Sequence, residues 1–128
     1  MALLNSCGIK VEELPNLEKP YIEKVYFLKE VKFDNGKISK IFFKDKIRNP
    51  FFILIKLKNT RGKGTLKIKL YKNDKLTYEK SFFFGKEGKE YETIFLWDRV
   101  EERMKGKIFY AIFYNDSLLW EGDFYVRE

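Results

Sequence analysis

Apolar and polar side chains alternate at every second position, and this feature restricts the possible folds of the chain more than any other. The clearest stretch is Leu66, Ile68 and Leu70, which alternate with lysines. Side chains two positions apart share one face of a β-strand, whereas a helix face needs a spacing of three or four. Similar short stretches recur from Val25 to Val126. The pattern predicts β-strands whose apolar faces turn inwards.

Turn-forming residues separate these stretches. Asn35-Gly36 accepts positive φ at both positions and predicts a two-residue hairpin, and Asn73-Asp74 and Asn115-Asp116 also predict turns. Asp98, with Glu101 three residues later, has the form of a capping box and predicts one helical turn near 98–104. We therefore expect an all-β fold with seven or eight strands in two packed antiparallel sheets, a β-sandwich.

The length of 128 residues suits one domain. Residues 1–20 contain Pro15 and Pro20, which disfavour helix, so we expect an N-terminal tether, a leader remnant or a strand that covers a sheet edge. Residues 21–128 are then the single β-sandwich domain.

Positive charge is concentrated in the middle of the chain. The formal net charge is +7, and residues 40–80 hold thirteen Lys or Arg against three acids. Lysines on solvated strand faces explain such a pattern without any function. The alternative is a basic surface that binds nucleic acid, with an aromatic side chain for base stacking. Its candidate residues are Lys56, Lys58, Arg61, Lys63, Lys67, Lys69 and Tyr71.

Several kinds of catalytic chemistry are excluded by composition. There is no His and only one Cys, so Ser-His and Cys-His pairs and Cys₄ zinc sites cannot form within the chain. The carboxylates lie among charged neighbours, as solvated surface residues do. We expect no enzymatic activity, no cofactor and no metal site. The absence of His and Gln and the abundance of Lys and Glu are typical of heat-adapted proteins, although seven Asn argue against that origin.

Two segments resemble bacterial immunoglobulin-like domains. Residues 106–126 contain a Gly at the start of a strand, a tight polar turn and a final Phe-x-Val, which is similar to the last hairpin of such domains. Residues 51–84 are similar to their central hairpin. The Cys…Trp…Cys core of antibody domains is absent. The resemblance implies that the sandwich is immunoglobulin-like. It also implies a non-catalytic binding or structural module, with a protein or envelope component as partner.

The segment from Leu4 to Cys7 resembles the lipobox of bacterial lipoproteins. That resemblance implies lipidation of Cys7, a membrane contact through the lipid alone, and a location in the cell envelope or periplasm. The apolar stretch before Cys7 is shorter than a signal peptide requires. The alternative is a cytoplasmic β domain that binds nucleic acid.

Overall fold

The computed structural model describes the backbone of residues 9–13 and the whole of residues 19–127. These residues form strands, turns and loops and contain no helix, so the prediction of an all-β chain is confirmed. The strands are β1 Ile9–Glu13, β2 Tyr21–Leu28, β3 Glu30–Asp34, β4 Lys37–Ile41, β5 Ile47–Arg48, β6 Phe51–Arg61, β7 Gly64–Lys72, β8 Lys75–Phe84, β9 Glu90–Val100, β10 Gly106–Tyr114 and β11 Ser117–Arg127.

The strands form two larger sheets and one separate hairpin. The four-stranded sheet has the order β1-β9-β6-β2, the five-stranded sheet has the order β5-β11-β10-β7-β8, and β3 pairs with β4. The short strand β5 runs parallel to β11, and the other described pairs are antiparallel. Consecutive strands therefore cross between the two larger sheets four times, from β5 to β6, from β6 to β7, from β8 to β9 and from β9 to β10.

Both larger sheets contribute to one hydrophobic core. On β7, Leu66, Ile68 and Leu70 are at most 1% exposed, as the alternation predicts, and Ile53 and Leu57 of β6 meet them from the other sheet. Burial of this apolar surface is the main favourable contribution to folding.

The predicted hairpin turns are confirmed. Asn35-Gly36, Asn73-Asp74 and Asn115-Asp116 all have positive φ at both residues, and each joins two paired strands. This is the geometry of a two-residue turn whose twist matches that of the strands it connects.

The predicted strand count is too low. The alternating stretch from Val25 to Phe33 divides at Lys29 into β2 and β3, which belong to different sheets. Backbone pairing also adds Ile9–Glu13 at the edge of the four-stranded sheet, in the segment where an edge-covering strand is one of the expectations, and the two-residue strand Ile47–Arg48 beside β11. Edge strands of this kind are held by main-chain hydrogen bonds, which leave little trace in a hydrophobic pattern.

The predicted helical turn near 98–104 is wrong. Strand β9 continues to Val100, and residues 101–105 form a loop. The Asp98 side chain does not cap a helix, because it points into the interior and accepts a hydrogen bond from the Tyr78 hydroxyl. The N–H of Met104 donates to Oδ1 of Asn49 at 3.0 Å instead of to a helical carbonyl.

The β3-β4 hairpin covers part of the outer face of the four-stranded sheet. Leu54 points away from the main core, yet it is fully buried. Ring contacts join the hairpin region to this face, with centroids 6.0 Å apart for Phe33 and Trp97 and 6.3 Å apart for Phe42 and Tyr26. One outer face of the molecule is thus occupied by its own chain.

Candidate binding surfaces

The residues of the predicted basic surface do not lie on one face. Lys56 and Lys58 are on β6 in the four-stranded sheet, whereas Lys67, Lys69 and Tyr71 are on β7 in the five-stranded sheet. Their outward-facing side chains therefore lie on opposite sides of the shared core. The remaining two, Arg61 and Lys63, lie at the end of β6 and in the turn that follows.

Several of these lysines have partners within the chain. Lys56 Nζ lies 2.8 Å from Oε1 of Glu23, and this hydrogen bond lowers the pKa of the Glu23 carboxyl. Lys58 Nζ donates to Thr93 Oγ1 at 3.2 Å, and Lys67 Nζ lies 3.4 Å from Glu79. The structure thus separates the predicted surface into two groups, Lys56 with Lys58 on one sheet and Lys67, Lys69 and Tyr71 on the other. No continuous groove joins the whole set.

The outer face of the five-stranded sheet carries a different feature. On β10, Phe109, Ala111 and Phe113 share the face opposite the buried Ile108 and Ile112. The strand register places one residue of β7 and one residue of β11 beside each of these three residues. The rows across the sheet are Tyr71–Phe109–Asp123, Lys69–Ala111–Glu121 and Lys67–Phe113–Leu118.

The small side chain in the middle row creates a depression. Ala111 is only 5% exposed although it faces outwards, because the rings on either side of it project further. Phe109 is 43% exposed, and Leu118 is 52% exposed. The result is an open groove of about 620 Å³ whose lining includes Tyr71 and Phe113. We call it the Ala111 groove.

Charges of both signs border the Ala111 groove. Across Ala111, Lys69 lies on the β7 side and Glu121 on the β11 side. Lys69 Nζ lies over the Phe113 ring, 5.2 Å from its centroid, and Lys107 pairs with Asp123 at 3.7 Å. An apolar floor between a cation and an anion can receive an apolar side chain whose neighbours carry complementary charges.

A second concavity lies at the end of the five-stranded sheet. It is lined by Lys72, Arg103, Lys105 and Arg127, with Asn49 and Thr77 between them. Sequence reasoning missed this pocket because its four cations come from three separate segments. Three of these cations, Arg103, Lys105 and Arg127, belong to a C-terminal part whose overall charge is negative.

The groove residues were also missed, although the sequence held a signal for them. Strand β10 is apolar on both faces, which predicts a strand buried on both sides. The structure covers only one of those faces, so Phe109 and its neighbours remain accessible.

The candidate lipidation site Cys7 lies outside the described residues. Within residues 19–127 there is no helix long and apolar enough to cross a membrane. No group of three or more Cys, Asp or Glu side chains in that part of the chain could hold a metal ion.

Comparison with known proteins finds no protein family whose model matches the chain and no match among curated proteins. The functional argument therefore depends on the residues and their geometry.

Proposed function

We propose that this protein is a non-catalytic binding module with an immunoglobulin-like β-sandwich fold, and that the Ala111 groove binds a segment of a partner protein. The fold part of the proposal is supported by strand order. In chain order, β2, β6, β7, β8, β9, β10 and β11 correspond to strands A, B, C, C′, E, F and G. The pairings β2-β6-β9 and β8-β7-β10-β11 then match the A-B-E and C′-C-F-G sheets of such domains.

The groove is the observation that carries the functional part. The hairpin β3-β4 covers part of one outer face of the molecule, whereas the other outer face exposes aromatic side chains around a depression. Clustered exposed apolar residues with a polar border are typical of protein interaction sites. The partner is a segment with one apolar side chain that enters above Ala111, flanked by an acidic residue toward Lys69 and a basic residue toward Glu121.

The first test uses the full chain and a displayed library of short random peptides. Peptides selected on the wild-type protein should lose affinity by more than about tenfold on Phe113→Ala and on Ala111→Lys, because both changes alter the depression itself. Thermal unfolding of both variants checks that they are folded. Phe83→Ala is the matched control, since Phe83 is a 60% exposed ring on the same sheet outside the groove.

Two results would count against this function. One is a set of selected peptides that bind Ala111→Lys and wild type equally well. The other is an enrichment of peptides without an apolar residue between opposite charges.

The location proposed for the module is the cell envelope, with a lipid on Cys7. The support is the resemblance of Leu4 to Cys7 to a lipobox. Mass spectrometry of the protein purified from its native cells should find a diacylglyceryl thioether on the Cys7 sulfur. An unmodified Cys7 within an uncleaved chain would contradict this location and leave the groove proposal intact.

A further inference from the structure

The second concavity, which we call the basic pocket, brings four cationic side chains to one end of the five-stranded sheet. Lys72 ends β7, Arg127 ends β11, and Arg103 and Lys105 come from the loop before β10. None of the residues that line the pocket is a carboxylate. Four positive charges around one concavity repel each other and raise the local concentration of anions.

Three of the four cations of the pocket are not neutralised by an ion pair within the described residues. Among residues 19–127, Lys72, Arg103 and Arg127 take part in no ion pair. Glu101, two residues before Arg103 in the chain, pairs with Arg99 at 2.8 Å.

The loop that carries two of the cations is fixed in place. The Asn49 amide holds it from both sides, donating through Nδ2 to the Glu102 carbonyl at 3.0 Å and accepting from the Met104 N–H at 3.0 Å. Met104 is 6% exposed and belongs to the hydrophobic core. Because Met104 is anchored, its neighbours Arg103 and Lys105 are held at the surface beside the pocket.

The Lys72 side chain passes close to Gly106, the first residue of β10. A β-carbon on Gly106 would lie 3.9 Å from Cε of Lys72, so the lysine stem passes close to the glycine backbone. Thr77 adds a hydroxyl to the lining. This hydroxyl donates to the Leu70 carbonyl at 3.1 Å, so its oxygen can still accept a hydrogen bond from another donor. The residues that line the pocket come from five separate parts of the chain, at positions 49, 72, 77, 103–105 and 127.

Size and donor type indicate the ligand. The pocket measures about 280 Å³, below the ~300–1,000 Å³ of sites for drug-sized ligands. One arginine guanidinium group can donate two parallel hydrogen bonds to a phosphate group, and a lysine ammonium group adds a point charge. We propose that this pocket binds a phosphate group, either as a free phosphate or phosphomonoester or as the headgroup of an anionic lipid.

The primary experiment is an NMR titration of the full chain with inorganic phosphate. Chloride is lowered as phosphate is added, so that the ionic strength stays constant. The amide signals of Thr77, Met104 and Gly106 should shift in a saturable way. Arg103→Gln and Arg127→Gln should each weaken binding by about tenfold, the effect of losing one charge-assisted interaction. Lys37→Gln is the matched control, because Lys37 is an exposed lysine of the β3-β4 hairpin, and its affinity should equal that of wild type.

The pH dependence provides a second readout. A phosphomonoester such as phosphoserine gains its second negative charge with a pKa of about 6, in a range where arginine and lysine side chains carry their charge. Its affinity for the pocket should therefore rise between about pH 5.5 and 7.5. Sulfate, whose charge is constant in that range, should show no such rise.

A vesicle assay distinguishes the two sources of phosphate. Recruitment to phosphatidylcholine vesicles that contain phosphatidic acid, lost in Arg103→Gln and kept in Lys37→Gln, would support the pocket and assign the phosphate to a lipid. Shifts that follow ionic strength alone would overturn the proposal, as would equal affinities of Arg103→Gln and Lys37→Gln. Binding of a single-stranded oligonucleotide that survives Arg103→Gln, without phosphate binding in the pocket, would instead indicate a non-specific basic surface.

Discussion

At the scale of single residues, the most consequential polar group is the buried carboxylate of Asp98. It lies on β9 in the four-stranded sheet and is 6% exposed. Its Oδ2 accepts a hydrogen bond from Tyr78 Oη at 2.5 Å and lies 4.0 Å from Lys80 Nζ, and both partners belong to β8 in the other sheet. A buried charge is tolerated only when it is paired. Asp98 therefore links the two sheets at one position.

Removal of the tyrosine hydroxyl should weaken that link. We predict that Tyr78→Phe lowers the free energy of unfolding by about 1.5–3 kcal/mol, the range for hydrogen bonds to charged groups. Urea denaturation measures the change. Tyr125→Phe, at a side chain that is 63% exposed, should stay within about 0.5 kcal/mol of wild type. Equal stabilities of Tyr78→Phe and Tyr125→Phe would contradict the role given to Asp98.

A second residue-scale prediction concerns alkaline pH. Burial raises the pKa of the Tyr110 phenol above its ordinary value of 10.0, although the hydrogen bond donated by Trp120 Nε1 at 2.9 Å acts in the opposite direction. The folded state therefore holds this proton more tightly than the unfolded state. Its contribution to stability is fully present below the unfolded-state pKa of about 10 and is lost as the pH rises through the higher folded-state pKa.

Urea midpoints measured from about pH 9 to pH 11.5 test this linkage. Wild type should lose more stability over that range than Tyr110→Phe, and the difference between the two proteins isolates the contribution of Tyr110. An identical loss in both proteins would show that ionisation of Tyr110 is not linked to folding.

At the scale of elements, two turns at one end of the molecule pack backbone against backbone. Gly85, directly after β8, has a φ of +84°, and a β-carbon there would lie 2.1 Å from the Gly62 carbonyl oxygen. Gly62, in the turn between β6 and β7, also donates its N–H to the Lys89 carbonyl. These contacts hold the β6-β7 turn against the loop that leads into β9.

Substitution of Gly85 and of Gly36 distinguishes the cost of a steric clash from the cost of a positive φ angle. Gly85→Ala should destabilise the protein by about 2–4 kcal/mol, because it adds a steric clash to the strain of positive φ. Gly36→Ala carries similar strain, with a φ of +74° and open space around it, so it should cost only about 1 kcal/mol. Thermal and urea unfolding of both variants measure the difference. Equal losses of stability in Gly85→Ala and Gly36→Ala would mean that the two turns can move apart to avoid the clash.

At the scale of the whole molecule, stacked rings join the two sheets at one end of the core. Phe27 of β2 lies on Phe124 of β11, with centroids 3.9 Å apart and ring planes at 22°. Phe51 and Tyr110 meet Phe124 edge-on at 5.6 and 5.8 Å. Rings from both sheets thus share one cluster, so unfolding of either sheet exposes apolar surface of the other. We expect the sheets to unfold together.

Truncation at the centre of this cluster should show the coupling. Phe124→Ala should cost about 3–5 kcal/mol through lost burial and the cavity that remains, with one cooperative transition. Its neighbour Tyr125 faces solvent, so Tyr125→Ala should change stability by no more than about 0.5 kcal/mol. Two separate transitions in either protein would mean that the sheets fold independently.

The sequence by itself determined the local structure of most strands and hairpins. Alternation at positions such as Leu66, Ile68 and Leu70 indicates strands, and the Asn-containing turns depend only on the φ angles of two residues. Asp98 and Glu101 gave a false helix signal because they have the spacing of a capping box, whereas Asp98 takes part in a buried hydrogen bond and Glu101 pairs with Arg99 at the surface. Sequence spacing does not distinguish these arrangements.

Tertiary structure alone decided which strands share a sheet and which faces stay open. A strand followed by a turn and a second strand has the same alternation whether the pair forms a hairpin or crosses to the opposite sheet. For that reason Lys56 and Lys67, predicted to share a surface, lie on opposite sides of the core. The Ala111 groove and the basic pocket depend on contacts between segments distant in the chain. Strand pairing and core packing fix those contacts, and local side-chain pattern does not encode them.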